Sequence, residues 1–335
     1  MTDPVPPGLN PNLAAYWNKP VSELATIANS AITPQEAERH RIYSLATMAI
    51  VALSWNGNKR GQDGEYPWRS KQRNPNGTYK GDRYLGHNIA CIAVDADGEI
   101  IDFDFNHNDV FNSSAEHAEA RLVRRIFNLN QIYDDWRTQP PTKPSSGYGN
   151  ILTEVTIYTS LESCAQCSGI MTLGNVKAVV YLQTDPGQYR IGNTMFNLTR
   201  PLEAPAPGAP AKPKYGAPEP IDASLFNFER KKKLDDAFVS FAKEIGSKKP
   251  FFIPNDGGKL DVAPSITSFL CTDAALDVYS TAEKEVQDLK LEFPDYVPNT
   301  SANSAKLLAN EGARRHALNF LGYVRLRGLR ATPHR

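Results

Sequence analysis

The chain has 335 residues, with 41% hydrophobic and 22% charged residues and a formal net charge of zero. It can bury a full core in one large or two small domains, and its balanced charge excludes a globally basic nucleic-acid binder while leaving room for local patches. No basic start followed by an apolar run marks a signal peptide, and no uninterrupted apolar stretch is long enough to span a bilayer.

Taken in order, residues 1–20 are rich in Pro and Asn and read as an extended arm, with Tyr16 and Trp17 docked on the body. A short helix is expected over 21–29. A strong helix follows: Thr33 caps it, Pro34 takes its first position and Glu36 lies three after the cap. Ile42, Leu45, Ala46, Ala49, Ile50 and Leu53 give it an apolar stripe at helical spacing. Over residues 55–86 the periodicity collapses, and Lys and Arg alternate with Tyr66, Trp68, Tyr79 and Tyr84. That is a long loop whose aromatics argue against plain disorder.

Residues 88–94 read as a buried strand, 95–98 as a tight turn and 100–105 as the partner strand. A second helix is expected to start near Ser113 or Ser114, both able caps, with Ala118, Leu122, Ile126 and Leu129 on its apolar face. A Pro-rich connection leads to a strand at 154–159, a cysteine-bearing helix, and a run at 177–182 that is apolar on both faces. Strand, helix and strand of this length imply a parallel pair with a right-handed crossover. Residues 201–220, nearly all Pro, Ala, Gly and Lys, read as an exposed linker or insertion. Helices are expected over 223–245, 266–289 and 302–329, with one more strand near 251–253. Lys231, Lys232 and Lys233 read as a solvated helix face. Arg314, Arg315, Arg325, Arg327 and Arg330 make the last helix basic.

The four cysteines are Cys91, Cys164, Cys167 and Cys271, too few for a disulfide scaffold. One close pair in a reducing cytoplasm reads as a metal or redox site, and Cys91 and Cys271 as core fillers. Cys164 and Cys167, three apart at a helix start, put two thiolates on one face of its first turn. His117, at another helix start, offers a third ligand. Three protein ligands with a fourth position open is the pattern of a catalytic zinc rather than a closed structural one. Glu119 is then free to move protons. Each residue alone has a plainer reading: the pair as a thioredoxin-type motif, His117 as a satisfied histidine, Glu119 as a dipole partner of its helix. Asn106 alone could hold a turn, and His107 reads as structural.

The His117-Ala118-Glu119 triplet followed by Ser160-Leu-Glu-Ser-Cys-Ala-Gln-Cys-Ser-Gly-Ile-Met171 resembles the signature of the cytidine deaminase-like superfamily. The motif is nearest its tRNA-adenosine-deaminase branch, which also holds guanine and free cytosine deaminases. Asn106 stands eleven before His117, where that branch carries a nucleoside-binding asparagine, and 185–192 looks like its loop after the following strand. One departure is Ser163, where the branch has proline; Ser163 with Gln166 makes a capping box that starts the same helix. The resemblance covers residues 33–200.

It implies a three-layer α/β/α fold with a mixed five-stranded sheet, the helix and fifth strand being sought in 223–245 and 251–253. Extensions are then residues 1–32 and a helical part, 221–335, able to complete the sheet. It also implies Zn2+ held by His117, Cys164 and Cys167, Glu119 as the catalytic proton carrier, and substrate contacts from Asn106, Ala118 and Ser160. The implied reaction is hydrolytic deamination of a nucleobase, nucleoside or nucleotide. The alternative is deamination of a base within single-stranded DNA or RNA, favoured by the 55–86 loop and the basic C-terminus. A soluble cytoplasmic enzyme, homodimeric as superfamily members often are, completes the expectation.

Overall fold

The computed structural model describes residues 3–27, 31–55, 87–108, 113–132, 151–200, 216–246, 265–299 and 306–327. The expectations placed on the 55–86 loop beyond Trp55, on most of the Pro-rich linker, on the 251–253 strand and on Arg330 fall outside those residues.

The arm carries a short helix rather than being extended throughout. Asn10 caps α1 (Pro11–Tyr16) and accepts the Asn12 N–H, with Pro11 at the first position. α2 (Val21–Leu24) follows. Trp17 is not docked: it is 45% exposed. α3 (Pro34–Leu53) begins at the expected capping box, with the Thr33 hydroxyl and the Glu36 carboxylate closing it reciprocally.

The sheet is five-stranded, in the order β2-β1-β3-β4-β5. β1 (Ala90–Val94) and β2 (Ile100–Phe105) are antiparallel, joined by a turn in which Gly98 takes φ +87°, a conformation glycine adopts without strain. On the other flank of β1 lies β3 (Thr156–Thr159), also antiparallel. β3 and β4 (Ala178–Tyr181) run parallel, as the crossover length requires. The fifth strand is β5 (Glu219–Asp222), parallel to β4 and straddling the expected boundary at 220. It was not legible because Pro220 sits inside it, and proline, which cannot donate to a ladder, is confined to edge strands such as this one.

Helices cover both faces. α4 (Ala118–Ile132), α5 (Ala165–Leu173) and α6 (Ile191–Thr199) line one side. α6, absent from the sequence reading, connects β4 to β5 and anchors the arm. Asn12 donates to the Asn197 and Arg200 carbonyls, and Asn197 donates back to those of Leu24 and Thr26. α4 starts four or five residues later than expected, since Ser113 accepts the Ala115 N–H in a turn and the free Ala118 N–H goes to Asn106.

The expected 223–245 helix starts later, as α7 (Glu229–Gly246), after a single tight turn. Lys231 on it is not solvated: it is 7% exposed and paired with Asp222 and Asp235 at 3.5 and 3.2 Å. The 266–289 helix divides into α8 (Ile266–Phe269), α9 (Asp273–Ser280) and α10 (Ala282–Asp288), and the last is α11 (Asn310–Arg327). α3 lies between the sheet and α9, α10 and α11. This explains why Tyr43, Met48 and Val51 are buried along with the expected stripe, from which only Leu53 is partly open: a helix covered on both sides is apolar all round. No described helix is long and apolar enough to cross a membrane.

Glu38 ties the C-terminal layer to α3. Its carboxylate accepts the Glu292 and Phe293 N–H groups and the Asn310 side-chain amide, at 2.5, 3.2 and 2.9 Å. Removing a buried acceptor strands its donors at about 1–3 kcal/mol each. Glu38→Ala is therefore expected to destabilise the protein by about 3 kcal/mol in urea titration and to open residues 289–299 to limited proteolysis; unchanged stability would contradict this role.

Candidate active site

His117 and Cys164 both stand at helix starts. The His117 carbonyl accepts the Arg121 N–H, the first bond of α4. Cys164 is the N-cap of α5, its sulfur accepting the Cys167 N–H at 3.5 Å. That replaces the expected Ser163–Gln166 box. The Gln166 side chain instead donates to the Ala115 carbonyl, tying α5 to the approach of α4, and Ser163 turns inward.

His117 Nδ1 lies 3.3 Å from Cys164 Sγ and 3.7 Å from Cys167 Sγ, and the three donor atoms fall within 4.8 Å of one another. Tetrahedral zinc with bonds of about 2.05 Å to nitrogen and 2.3 Å to sulfur separates such atoms by about 3.6 Å. The donor set and its spacing fit that ion.

The electrostatics point the same way. Cys164 is lowered to about 4, chiefly by a hydrogen bond from the Cys167 thiol, with His117 adding to it. Cys167 is pushed well up, first by Cys164 and then by burial. One thiol thus ionises at the expense of its neighbour, a conflict that a bound divalent cation removes. The hydrogen bond to Cys164 raises His117.

Glu119, in the first turn of α4, is 4% exposed, and burial raises its carboxyl above the usual range. Thr159 and Ser163 donate to its Oε1 at 3.0 and 3.3 Å, while Oε2 lies 3.4 Å from Cys167 Sγ. These two hydroxyls were missed from sequence; their only signal is position, at the end of β3 and immediately before the first cysteine.

His117, Glu119 and Cys164 open onto a cavity of about 230 Å3 that Asn106 also lines. An apolar cavity of about 150 Å3 already admits benzene, so a nucleobase ring fits. Asn106 is buried, with its Oδ1 held by the Ala118 N–H at 2.8 Å; the Ala118 backbone donor is thereby occupied. The structure does not bring Ser160 to the cavity: its hydroxyl accepts the Ala90 N–H at 3.1 Å within the sheet. Glu162 and Asp185 also line the cavity, as does Thr267 from the C-terminal layer. His107 holds the loop, its backbone N–H donating to Glu116 and its ring Nδ1 to Phe105. Cys91 and Cys271 are buried in the core.

Residues 77–183 match the model of the cytidine and deoxycytidylate deaminase zinc-binding region. No curated protein sequence matches. Similar solved structures include one from work on A-to-I editing by tRNA:A34 deaminases at the wobble position of transfer RNA. It is 18% identical with a TM-score of 0.26, over 40% of this chain and 82% of that one. Guanine deaminase from Bacillus subtilis is 26% identical with a TM-score of 0.22, over 29% of this chain and 50% of its own. The diaminohydroxyphosphoribosylaminopyrimidine deaminase/5-amino-6-(5-phosphoribosylamino)uracil reductase from Thermotoga maritima is 19% identical with a TM-score of 0.32, over 62% of this chain and 42% of its own. The similarity to the cytidine and deoxycytidylate deaminase zinc-binding region thus covers residues 77–183, the segment that holds His117, Glu119, Cys164 and Cys167.

If the three donors act as one metal site, the purified protein carries about one zinc per chain by elemental analysis, and Cys164→Ser or Cys167→Ser reduces that content to near zero. Full zinc in either variant would contradict the ligand set.

Proposed function

We propose that the protein is a zinc-dependent hydrolytic deaminase that replaces a ring amine of a nucleobase, nucleoside or nucleotide with a carbonyl, releasing ammonia. One observation carries this reading: a buried carboxylate, Glu119, is held beside a His/Cys/Cys donor set at the wall of a cavity of ring size. The family-model match over this region supports it.

Zinc held by His117, Cys164 and Cys167 would supply Lewis acidity at neutral pH. The rest falls to the chain. Glu119 takes a proton from the attacking water, whose oxygen bonds to the amine-bearing carbon. It delivers that proton to the adjacent ring nitrogen. It then moves the remaining water proton to the leaving amine; the C–N bond breaks and ammonia departs. Burial, which raises the Glu119 carboxyl, suits a group that must both accept and donate near neutrality. The Thr159 and Ser163 hydroxyls keep one carboxylate oxygen fixed while the other works. Asn106, anchored through Oδ1, would orient the substrate from the cavity wall.

Among the described residues no Lys or Arg lines the cavity, whereas Glu162 and Asp185 do. This favours a neutral ring inside it, with any phosphate outside. Localisation in a reducing cytoplasm agrees with four free cysteines.

A second reading, a base within single-stranded nucleic acid, draws on Tyr189. Its side chain is 85% exposed, its backbone takes φ +51°, and it follows Gln188 of the cavity wall. An exposed ring beside the pocket can stack a neighbouring base. Against this reading, two described arginines of the last helix are paired within the chain: Arg314 with Glu311 at 2.8 Å and Arg325 with Glu283 at 2.5 Å.

Glu119→Ala is expected to retain zinc and to lose ammonia release by 10²-fold or more, the usual worth of a positioned proton carrier; turnover within a few-fold of the parent would refute the mechanism. An ammonia screen over bases, nucleosides, nucleotides and oligonucleotides separates the two readings. The second also requires oligonucleotide affinity that falls steeply with salt and drops about 10-fold in Tyr189→Ala, as loss of one stacked base predicts. Binding that is salt-independent, or absent at low salt, removes it.

A further inference from the structure

A buried arginine, Arg121, joins the two ends of the loop that delivers the active-site residues. Residue 105 ends β2, and Asn106 and His107 lead out of it; Glu116 and His117 lead back into α4. Arg121 is 3% exposed. Its Nε donates to Asp104 at 3.2 Å and its Nη1 to Glu116 at 2.5 Å. Asp104, fully buried, also accepts the Phe105 N–H at 2.8 Å. Glu116 is the residue immediately before His117, and Arg124 grips its other carboxylate oxygen at 3.0 Å.

The position is a poor one for a cation on helix grounds alone. Arg121 lies in the first turns of α4, where the macrodipole disfavours positive charge, and burial of an unpaired guanidinium is costlier still. The two carboxylates are what make it tolerable. Their placement is informative, since one belongs to the strand and the other to the residue beside a metal ligand.

The ion pairs run parallel to a second set of ties across the same gap. The His107 N–H donates to the Glu116 carbonyl at 2.8 Å, and the Ala118 N–H donates to Asn106 Oδ1 at 2.8 Å. Glu116 is thus held through its carbonyl and both carboxylate oxygens, and the residue after His117 through its N–H. Between those fixed points the His117 backbone has little freedom, so its ring is presented to Cys164 and Cys167 without the entropy loss of ordering a loose loop.

We propose that Arg121, acting through Glu116, is a positioning residue for His117 and sets the protein's zinc affinity. The proposal rests on the metal-site reading above. Outer partners that orient a metal's ligands change affinity by about 10–100-fold when lost, and the same range is expected here.

The test is zinc affinity and the rate of zinc release to a chromogenic chelator, measured on the full chain alongside thermal unfolding of the metal-free form. Glu116→Ala is the first variant. Arg121 keeps Asp104, and Arg124, whose side chain is 53% exposed, is left to water, so the protein is expected to fold. Arg121→Lys is the second, since an ammonium lacks the fork that spans both carboxylates. Zinc binding weakened about 10-fold or more in Glu116→Ala is the expected result, together with a lowered metal-free unfolding midpoint, since Arg121 loses one of its two carboxylates. Zinc affinity within twofold of the parent overturns the proposal, whatever happens to stability, because a merely structural staple would lower the midpoint and leave affinity alone. Should Arg121→Lys fail to fold, Glu116→Ala decides. A parent protein that binds no zinc would defeat the metal-site reading instead, a different outcome from equal binding by parent and variants.

Discussion

Two helix N-termini meet at one point, and that meeting needs negative charge. α4 and α5 both start at the donor cluster, and each start carries the positive end of its dipole. Two such ends repel unless anionic groups stand between them. The cluster offers Glu119 and Cys164, whose thiol is held well below its ordinary range, chiefly by a hydrogen bond from Cys167 with His117 adding to it. Site and scaffold therefore stabilise one another: the helix starts favour the charged ligands, and the ligands let the starts converge.

That convergence is built on the sheet. β2 and β3 flank β1 on opposite sides, and the residues just past their carboxyl ends, Asn106 and Ser160, pass into the loops that deliver His117 and Cys164. A ligand site at the strands' carboxyl ends is the usual arrangement of open α/β sheets. The C-terminal helices are integral to it. They cover the far side of α3, they are tied down by Glu38, and Leu270, just past α8, accepts the Asn88 side-chain amide at 3.0 Å. Thr267 on α8 then reaches the cavity wall. A segment with no place in the family motif thus contributes both to core burial and to the shape of the pocket.

The donor trio, Glu119 and the capping box of α3 were legible because each is set by local spacing or side-chain chemistry at a helix start. So were β1 to β4, whose apolar runs are buried. The misses share a different cause, since each depends on a partner remote in sequence. β5 contains a proline and is recognised as a strand only by its pairing with β4. α4 is capped by Asn106, twelve residues away, rather than by the nearby serines. Lys231 reads as solvated until Asp222, at the end of that unforeseen strand, is placed beside it. Ser160 looked like a substrate contact from its neighbourhood in the motif, yet the register of β1 and β3 assigns its hydroxyl to Ala90.

Ser163 shows how a departure from a motif can be read physically. Proline at that position would restrict the backbone before the first cysteine but could donate nothing. Serine gives up that restriction. Its hydroxyl reaches Glu119 Oε1 beside that of Thr159, so two donors hold one oxygen of the buried carboxylate while the other faces the metal-ligand side. A carboxylate held by one oxygen keeps its direction when it gains and loses a proton at the other, which a proton shuttle requires. The helix start that proline would have pre-formed is secured elsewhere, by the Cys164 sulfur and by the Gln166 tie to Ala115. In this chain one residue has exchanged a backbone constraint for a hydrogen bond to the carboxylate, and the local fold has been re-anchored around the exchange.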